Sequence, residues 1–497
     1  MKNKCDDTVD SSLLEEESEK LNIKKQKREK KQKAFVDMTE GPFLKKMIFF
    51  AIPLILTGLL QSFYNAADLI VVNLFSTSDA PLVGAIGSTS ALTNLVLGLF
   101  MGLSVGAGVL VAHYVGAKRE KDVNLVLHTS VILSVISGIL IAVVGFFFAE
   151  TFLRWMNTPA ELMPYATRYL QIIFIGTPGS LLYNYIAAML RSSGDSKRPL
   201  IFLAISGIIN ILFNIFLVTV FKLDVEGVAI ATIVSQYASA VMSLVYLMKL
   251  KGMLHFSFKR LSLNTKKLKR LLHIGIPSGI QGSLFSLSNT LIQTAMNSID
   301  DAADAGGRII DGFAATQSIE NFHYIAMHAI YSVALTFVGQ NVGAKKYRNV
   351  KKVTFYSIFI VLAIGIGMGA ALMILQKPFL SLYISGDDVA LSAAITRFSI
   401  IIPTYFLCGM MDTLCGTLRA LNRSITSMVI SLTFTCGLRI LWIHTVFAHF
   451  KTSESLFFAY PVSWLLSCAV HVIFIVYAAK KLIKVESSAN PLNLEEG

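Results

Sequence analysis

Eight polar or ionisable residues stand where the surrounding sequence is apolar, and they are where chemistry could occur. Asp68 lies in Tyr64-Asn65-Ala66-Ala67-Asp68-Leu69. A carboxylate in a poorly solvated pocket can be neutralised by a proton or a bound cation, which makes it a switch; the alternative is a carboxylate close enough to the outer surface to be solvated. Asn210 and Asn214 are four residues apart, on one face of a helix. With Thr232 they could join Asp68 in a polar pocket; helix–helix hydrogen bonding is the competing structural role and, on these residues alone, the stronger reading. In the second half, Gln281, Glu320, Asp412 and Arg439 form the expected substrate-binding set. Two acids there would offer charge partners to a cationic ligand. The alternative is that one of them simply pairs with Arg439, which must find a partner in mid-span.

These residues need long apolar helices to hold them. The chain has 497 residues, 54% hydrophobic and only 15% charged, well below the roughly 25% charged of soluble domains. The apolar runs are continuous rather than alternating, which selects helices over a membrane barrel. Spans are expected near 47–74, 83–113, 126–148, 165–190, 199–221, 226–250, 272–299, 311–339, 353–376, 396–418, 425–447 and 456–480. The net charge of +13 does not indicate nucleic acid, because the basic residues recur between spans. Arg154, Lys222, Arg308, Lys377 and Lys451 fall in outer loops, and Arg168, Arg397 and Arg439 within spans. The remaining Lys and Arg lie on one side, which the positive-inside rule makes cytoplasmic, with both termini. Acids such as Asp300, Asp301, Asp304, Asp387 and Asp388 fall in outer loops.

The chain also contains its own homologue. Ile52-Pro53 is echoed by Ile276-Pro277, Val115-Gly116-Ala117-Lys118 by Val342-Gly343-Ala344-Lys345, and Leu190-Arg191 by Leu418-Arg419. Each half holds an even number of spans, so the repeat is parallel, with a pseudo-two-fold axis along the membrane normal. The expected organisation is a disordered, charged cytoplasmic tail (1–42), a six-helix lobe (43–250), a basic cytoplasmic linker (251–270), a second six-helix lobe (271–482) and a C-terminal tail (483–497). The N-terminus is too polar for a cleavable signal peptide. Cys408, Cys415, Cys436 and Cys468 lie in spans and form no CxxC pair with each other or with Cys5, so neither metal sites nor disulfides are expected. The scattered histidines, His113, His273, His323, His328, His444 and His471, are expected to be lining or interfacial groups rather than a proton relay.

From Phe43 to Lys481 the chain resembles the multidrug and toxic compound extrusion (MATE) family, and within it the bacterial branch found in Firmicutes. The resemblance is carried by Ile52-Pro53 with Asp68, the Val-Gly-Ala-Lys loops, Leu190-Arg191-Ser192-Ser193-Gly194-Asp195-Ser196, Gly227-Val228-Ala229-Ile230-Ala231-Thr232 and Thr336 to Ala344. It implies an all-α integral membrane protein of twelve helices in two lobes. It also implies efflux of organic cations or amphipathic drugs in exchange for H+ or Na+, by alternating access. The family's cation site maps onto Asp68, Asn210, Asn214 and Thr232, and Pro53 matches a proline near which helix 1 bends. The sequence departs from the family at Asn214, where many members carry aspartate, so the coupling ion is left open between H+ and Na+. It departs again at Leu418-Arg419-Ala420-Leu421-Asn422-Arg423, which lacks the usual glycines. Gln281 and Phe285 occupy the region where some relatives carry an acid.

No ATP loop, no HExxH and no GxSxG occurs, so neither a cofactor nor enzymatic activity is expected. The expected partners are organic cation or drug substrates and the bilayer of the inner (plasma) membrane, and the expected state is a monomer. The alternative is a flippase for lipids or lipid-linked oligosaccharides. Its cavity should be rich in Arg and Lys, whereas the spans here offer mainly Arg439 against three acids.

Overall fold

The computed structural model describes residues 36–75, 82–384 and 386–489. Twelve membrane-spanning helices form two related six-helix lobes. The first lobe comprises α1 (Phe43–Phe75), α2 (Leu82–Gly116), α3 (Glu120–Trp155), α4 (Met163–Ser192), α5 (Lys197–Thr219) and α6 (Val225–Lys249). The second comprises α7 (Thr265–Ala302), α8 (Arg308–Gly343), α9 (Tyr347–Ile374), α10 (Asp388–Thr404 continued by Phe406–Ala420), α11 (Ser424–Phe450) and α12 (Ser453–Lys484). Ten of these are long and apolar enough to cross a membrane by themselves, and the bent α10 makes an eleventh. Helix α7 is the twelfth. Its first turns carry Lys266, Lys267, Lys269 and Arg270, and serines and Gln281 punctuate the rest.

Local chemistry moves several boundaries from their expected positions. Helix α7 begins inside the expected linker because the Asn264 side chain accepts from Lys267 N at 3.0 Å and caps it. The rest of the linker is docked on α3, where Asn124 donates to His255 O at 2.8 Å and Phe256 is buried, and Lys267 in the first turn of α7 pairs with Asp122. Asp300, expected in an outer loop, is buried. Its carboxylate accepts from Gly307 N and Ile309 N, capping the start of α8. Helix α10 breaks by 45° next to Pro403, whose ring removes a donor and crowds the preceding turn. Helix α11 contains two π-helical stretches, Leu432–Gly437 and Ile443–Phe447. At the missing glycine, Asn422 has φ 60° and occupies the place that Gly194, φ 101°, holds in the first half. Asparagine is among the few side chains that accept this backbone region.

Residues 36–42, expected within the disordered tail, are packed against both lobes; residues 1–35 lie outside the described residues. Val36 N donates to Gly194 O at 3.3 Å in the first lobe. Asn341 donates to Met38 O at 2.8 Å, and Lys346 pairs with Glu40 at 2.6 Å, in the second. Met38 is fully buried in the core of the second lobe. One apolar anchor and several backbone partners satisfy a segment that its charge alone suggested was solvated.

The lobes meet mainly through α2 on α7, next through α2 on α8 and, at the place equivalent to the first, through α8 on α1. Gly102 and Gly106 of α2 face Gly275 and Gly279 of α7. A Cβ on Gly102 would sit 2.1 Å from Gly279 N, and one on Gly279 would sit 2.1 Å from Leu99 O. Lipid offers no hydrophobic drive for helix association, so such backbone-to-backbone approach is how these helices bind.

Candidate functional site

The first site lies in the half of the first lobe toward the α1–α2 connection. Asp68 comes from α1, Asn210 and Asn214 from one face of α5, and Thr232 from α6; all four are buried. Asn214 Nδ2 donates to Asp68 Oδ1 at 2.6 Å and to Asn210 Oδ1 at 3.1 Å. Thr232 Oγ1 donates to Asp68 Oδ2 at 3.0 Å, and Asn210 Nδ2 reaches Thr232 Oγ1 at 3.3 Å. The structure therefore brings together all four residues expected in the coupling set. Asp68 forms no ion pair among the described residues. Its partners are neutral, so its charge is solvated by hydrogen bonds and not cancelled. Asn214 Oδ1 is buried with no hydrogen-bond partner among the described residues. Pro53 is buried inside α1, and Thr57 Oγ1 donates to its carbonyl at 2.7 Å.

The second site is a cavity of about 710 Å³ within the second lobe, lined from α7, α8, α10, α11 and α12. Glu320, Asp412 and Arg439 all line it, as expected; Gln281 does not. Gln281 instead belongs to a buried network toward the basic end, accepting from Arg419 at 2.8 Å and donating to Ser431 Oγ at 3.0 Å. Glu320 pairs with Arg397, not with Arg439. The guanidinium reaches both carboxylate oxygens, at 2.8 and 2.7 Å, and both side chains are almost fully buried. Glu320 thus faces the cavity with its charge already cancelled. Asp412 Oδ2 accepts from Tyr324 at 2.9 Å and lies 3.1 Å from His328 Nδ1. Arg439 donates to Ser463 Oγ at 3.1 Å and to Asn289 Oδ1 at 3.2 Å, with its guanidinium 4.2 Å from the Tyr460 ring centroid.

On the face that carries the Val-Gly-Ala-Lys loops, the lobes are closed by two equivalent hydrogen bonds. His113 Nε2 donates to Ala420 O at 2.7 Å, and Gln340 Nε2 donates to Ser192 O at 2.8 Å. His113 and Gln340 occupy the same place in the two repeats, as do Ser192 and Ala420. Between them Gly116 lies against Gln340 O, and Gly343 against His113 O.

Sequence reasoning missed three parts of this arrangement. Arg397 was visible as a mid-span charge but had no assigned partner. The facing pairs Gly102/Gly106 and Gly275/Gly279 are a readable G-x-x-x-G signal in apolar helices. The His113–Gln340 equivalence follows from the repeat offset once each side chain is known to cross between lobes.

Two parallel six-helix lobes, sealed together on one face and enclosing separate polar sites, define a two-lobed membrane transporter. The MatE family model matches residues 53–216 and 277–443, once in each lobe, and the chain belongs to that family. It is 28% identical over 434 residues to the probable multidrug resistance protein YoeA of Bacillus subtilis (strain 168), covering 85% of this chain and 91% of that one. It is 24% identical over 377 residues to the FAD transporter of Shewanella oneidensis, covering 74% and 80%. Among solved structures it is similar, at 20% identity and TM-score 0.80, to an outward-facing conformation of a multidrug resistance MATE family transporter. That match covers 90% of this chain and 98% of the other. A transporter of the same superfamily from Pyrococcus furiosus superposes equally well, at 19% identity and TM-score 0.80, with the same coverage.

Proposed function

We propose that this chain is a secondary active exporter of amphipathic drugs and organic cations in the plasma membrane. It takes up H+ or Na+ at Asp68 and alternates access between its two faces. The observation that carries this reading is the Asp68 cluster: a buried carboxylate ringed by three neutral side chains, with no base paired to it among the described residues. Such a charge is costly in a membrane, about 2.5–3.5 kcal/mol on insertion scales, so occupation by a proton or a small cation favours the arrangement around it. Asn214 Oδ1, buried and unpartnered, is a ready acceptor or ligand oxygen for either ion. The polar cavity of the second lobe lies on different helices, so coupling and substrate sites are separate and communicate through the packing of the lobes.

The one-sided distribution of the basic residues supports a cytoplasmic orientation for the closed face. The structure then corresponds to the state with the cytoplasmic side shut, and both termini are cytoplasmic. A monomer carries every element of this cycle. The lipid-flippase alternative is not favoured by the relatives described above. Reconstitution in liposomes with a proton or a sodium gradient imposed separately, following ethidium efflux, tests the reading. Efflux under one gradient names the ion, and no efflux under either overturns the proposal.

A further inference from the structure

We propose that the cavity of the second lobe recognises zwitterionic aromatic amphiphiles, with Arg439 receiving their oxyanion and Asp412 their cationic group. This goes beyond a site for simple organic cations and rests on the export reading for its transport consequence.

The four charges around the cavity are not equivalent. Glu320 and Arg397 saturate each other through two parallel bonds, so neither has much left for a ligand. Arg439 has no carboxylate partner among the described residues. It is 5% exposed, and neutral oxygens of Ser463 and Asn289 hold its Nε and one terminal nitrogen. Nη2 has no protein partner among the described residues. The ring centroids of Tyr460 and Trp464 lie 4.2 and 5.8 Å from the guanidinium carbon, and the two bonds hold the fork among them. A guanidinium held in this way is pre-organised for an oxyanion, because it is weakly hydrated and presents donors in a rigid geometry. The backbone supplies a second, independent sign. Arg439 sits on the short α-helical stretch Leu438–Trp442 between the two π-helical stretches of α11. Such π-helical stretches recur at functional sites.

Asp412 is the complement. Both of its bonds, from Tyr324 and His328, fall on Oδ2, and Oδ1 is free of protein partners among the described residues. A ligand that carries an oxyanion, a cation and an aromatic body would engage both charges and lie along the Tyr and Trp rings. A ligand with only a cation leaves Arg439 buried and unanswered.

The test compares a rhodamine bearing a free benzoate with its methyl ester, which removes only the negative charge. Binding to the full chain in lipid nanodiscs is followed by fluorescence polarisation. Arg439→Gln is expected to weaken the free-acid dye by about 10- to 100-fold, the worth of a charge-assisted hydrogen bond, and to leave the ester within a few-fold. Arg439→Lys should recover part of the acid preference, and Asp412→Asn should weaken both dyes. Equal weakening of both dyes by Arg439→Gln would reveal a merely structural arginine, and no change in either would remove it from the site; both results overturn the inference. Ethidium efflux by the wild-type chain is measured in parallel. Efflux without Arg439-dependent selection overturns this inference alone, and absence of efflux overturns the export reading.

Discussion

Adding a single methyl group at Gly116 should hold the basic face of the transporter open. A Cβ built there meets Gln340 O at 1.9 Å, and the equivalent Cβ on Gly343 meets His113 O at 2.0 Å. Both obstacles are backbone oxygens, so no rotamer change relieves them. Ordinary carbon contacts begin near 3.5 Å, so α2 and α8 must separate by about 1.5 Å. That separation stretches the two bonds that close this face, His113 to Ala420 O and Gln340 to Ser192 O. Losing both costs roughly 1 kcal/mol each, and overpacking at a tight contact adds about 1–3 kcal/mol. A total near 3–5 kcal/mol disfavours the closed face by roughly 10²- to 4 × 10³-fold. Spin labels at Lys121→Cys and Arg348→Cys, both exposed at the ends of equivalent loops, report the distance across it by pulsed electron resonance, with Cys5 replaced by Ser. Gly116→Ala and Gly343→Ala should each convert a short, narrow distance distribution into a longer one. His113→Gln, which copies the other repeat, should leave it short. An unchanged narrow distribution in both alanine variants would refute the reasoning.

Other perturbations test the sites themselves. Asp68→Asn keeps the shape of the cluster but removes the charge; ion-driven efflux should fall to the level of empty liposomes while membrane insertion is normal, and full transport would remove Asp68 from the mechanism. Glu320→Gln leaves Arg397 buried and unpaired, which should cost about 3–5 kcal/mol and lower the Tm of the detergent-solubilised protein. Replacing both partners with methionine should return most of that stability, and an unaltered Tm for Glu320→Gln would contradict the pairing. Met38→Asp puts a charge into a fully buried position and should release residues 36–42; faster hydrogen exchange at Val36 and Asn341, with the remaining spans unaffected, is the expected readout.

Much of the architecture was legible because a bilayer judges each helix separately. Apolar length is a local property, so most spans could be placed from composition, and the repeat then related the two halves. The errors fell where local composition was ambiguous. The Lys-rich start of α7 read as linker, although Asn264 caps it into the helix. Residues 36–42 read as tail, because the buried place of Met38 depends on residues about 300 positions away. Asp300 read as a loop acid, while its carboxylate is spent on backbone donors of α8.

The Asp68 cluster was readable as a set because Asn210 and Asn214 share a helix face and polar groups in lipid must gather. The second lobe was not readable in the same way. Composition offered two acids and two arginines on three helices, and nothing in their spacing selects a pairing. Only packing could assign Glu320 to Arg397 and leave Arg439 among aromatic rings and neutral oxygens. The sequence by itself determined how many times the chain crosses the membrane, that it does so as two parallel halves, and which charges are out of place. The tertiary structure alone decided which of those charges are cancelled and which remain open to a ligand. The cost of placing a charge in lipid is paid segment by segment, whereas its neutralisation depends on which distant helices pack beside it.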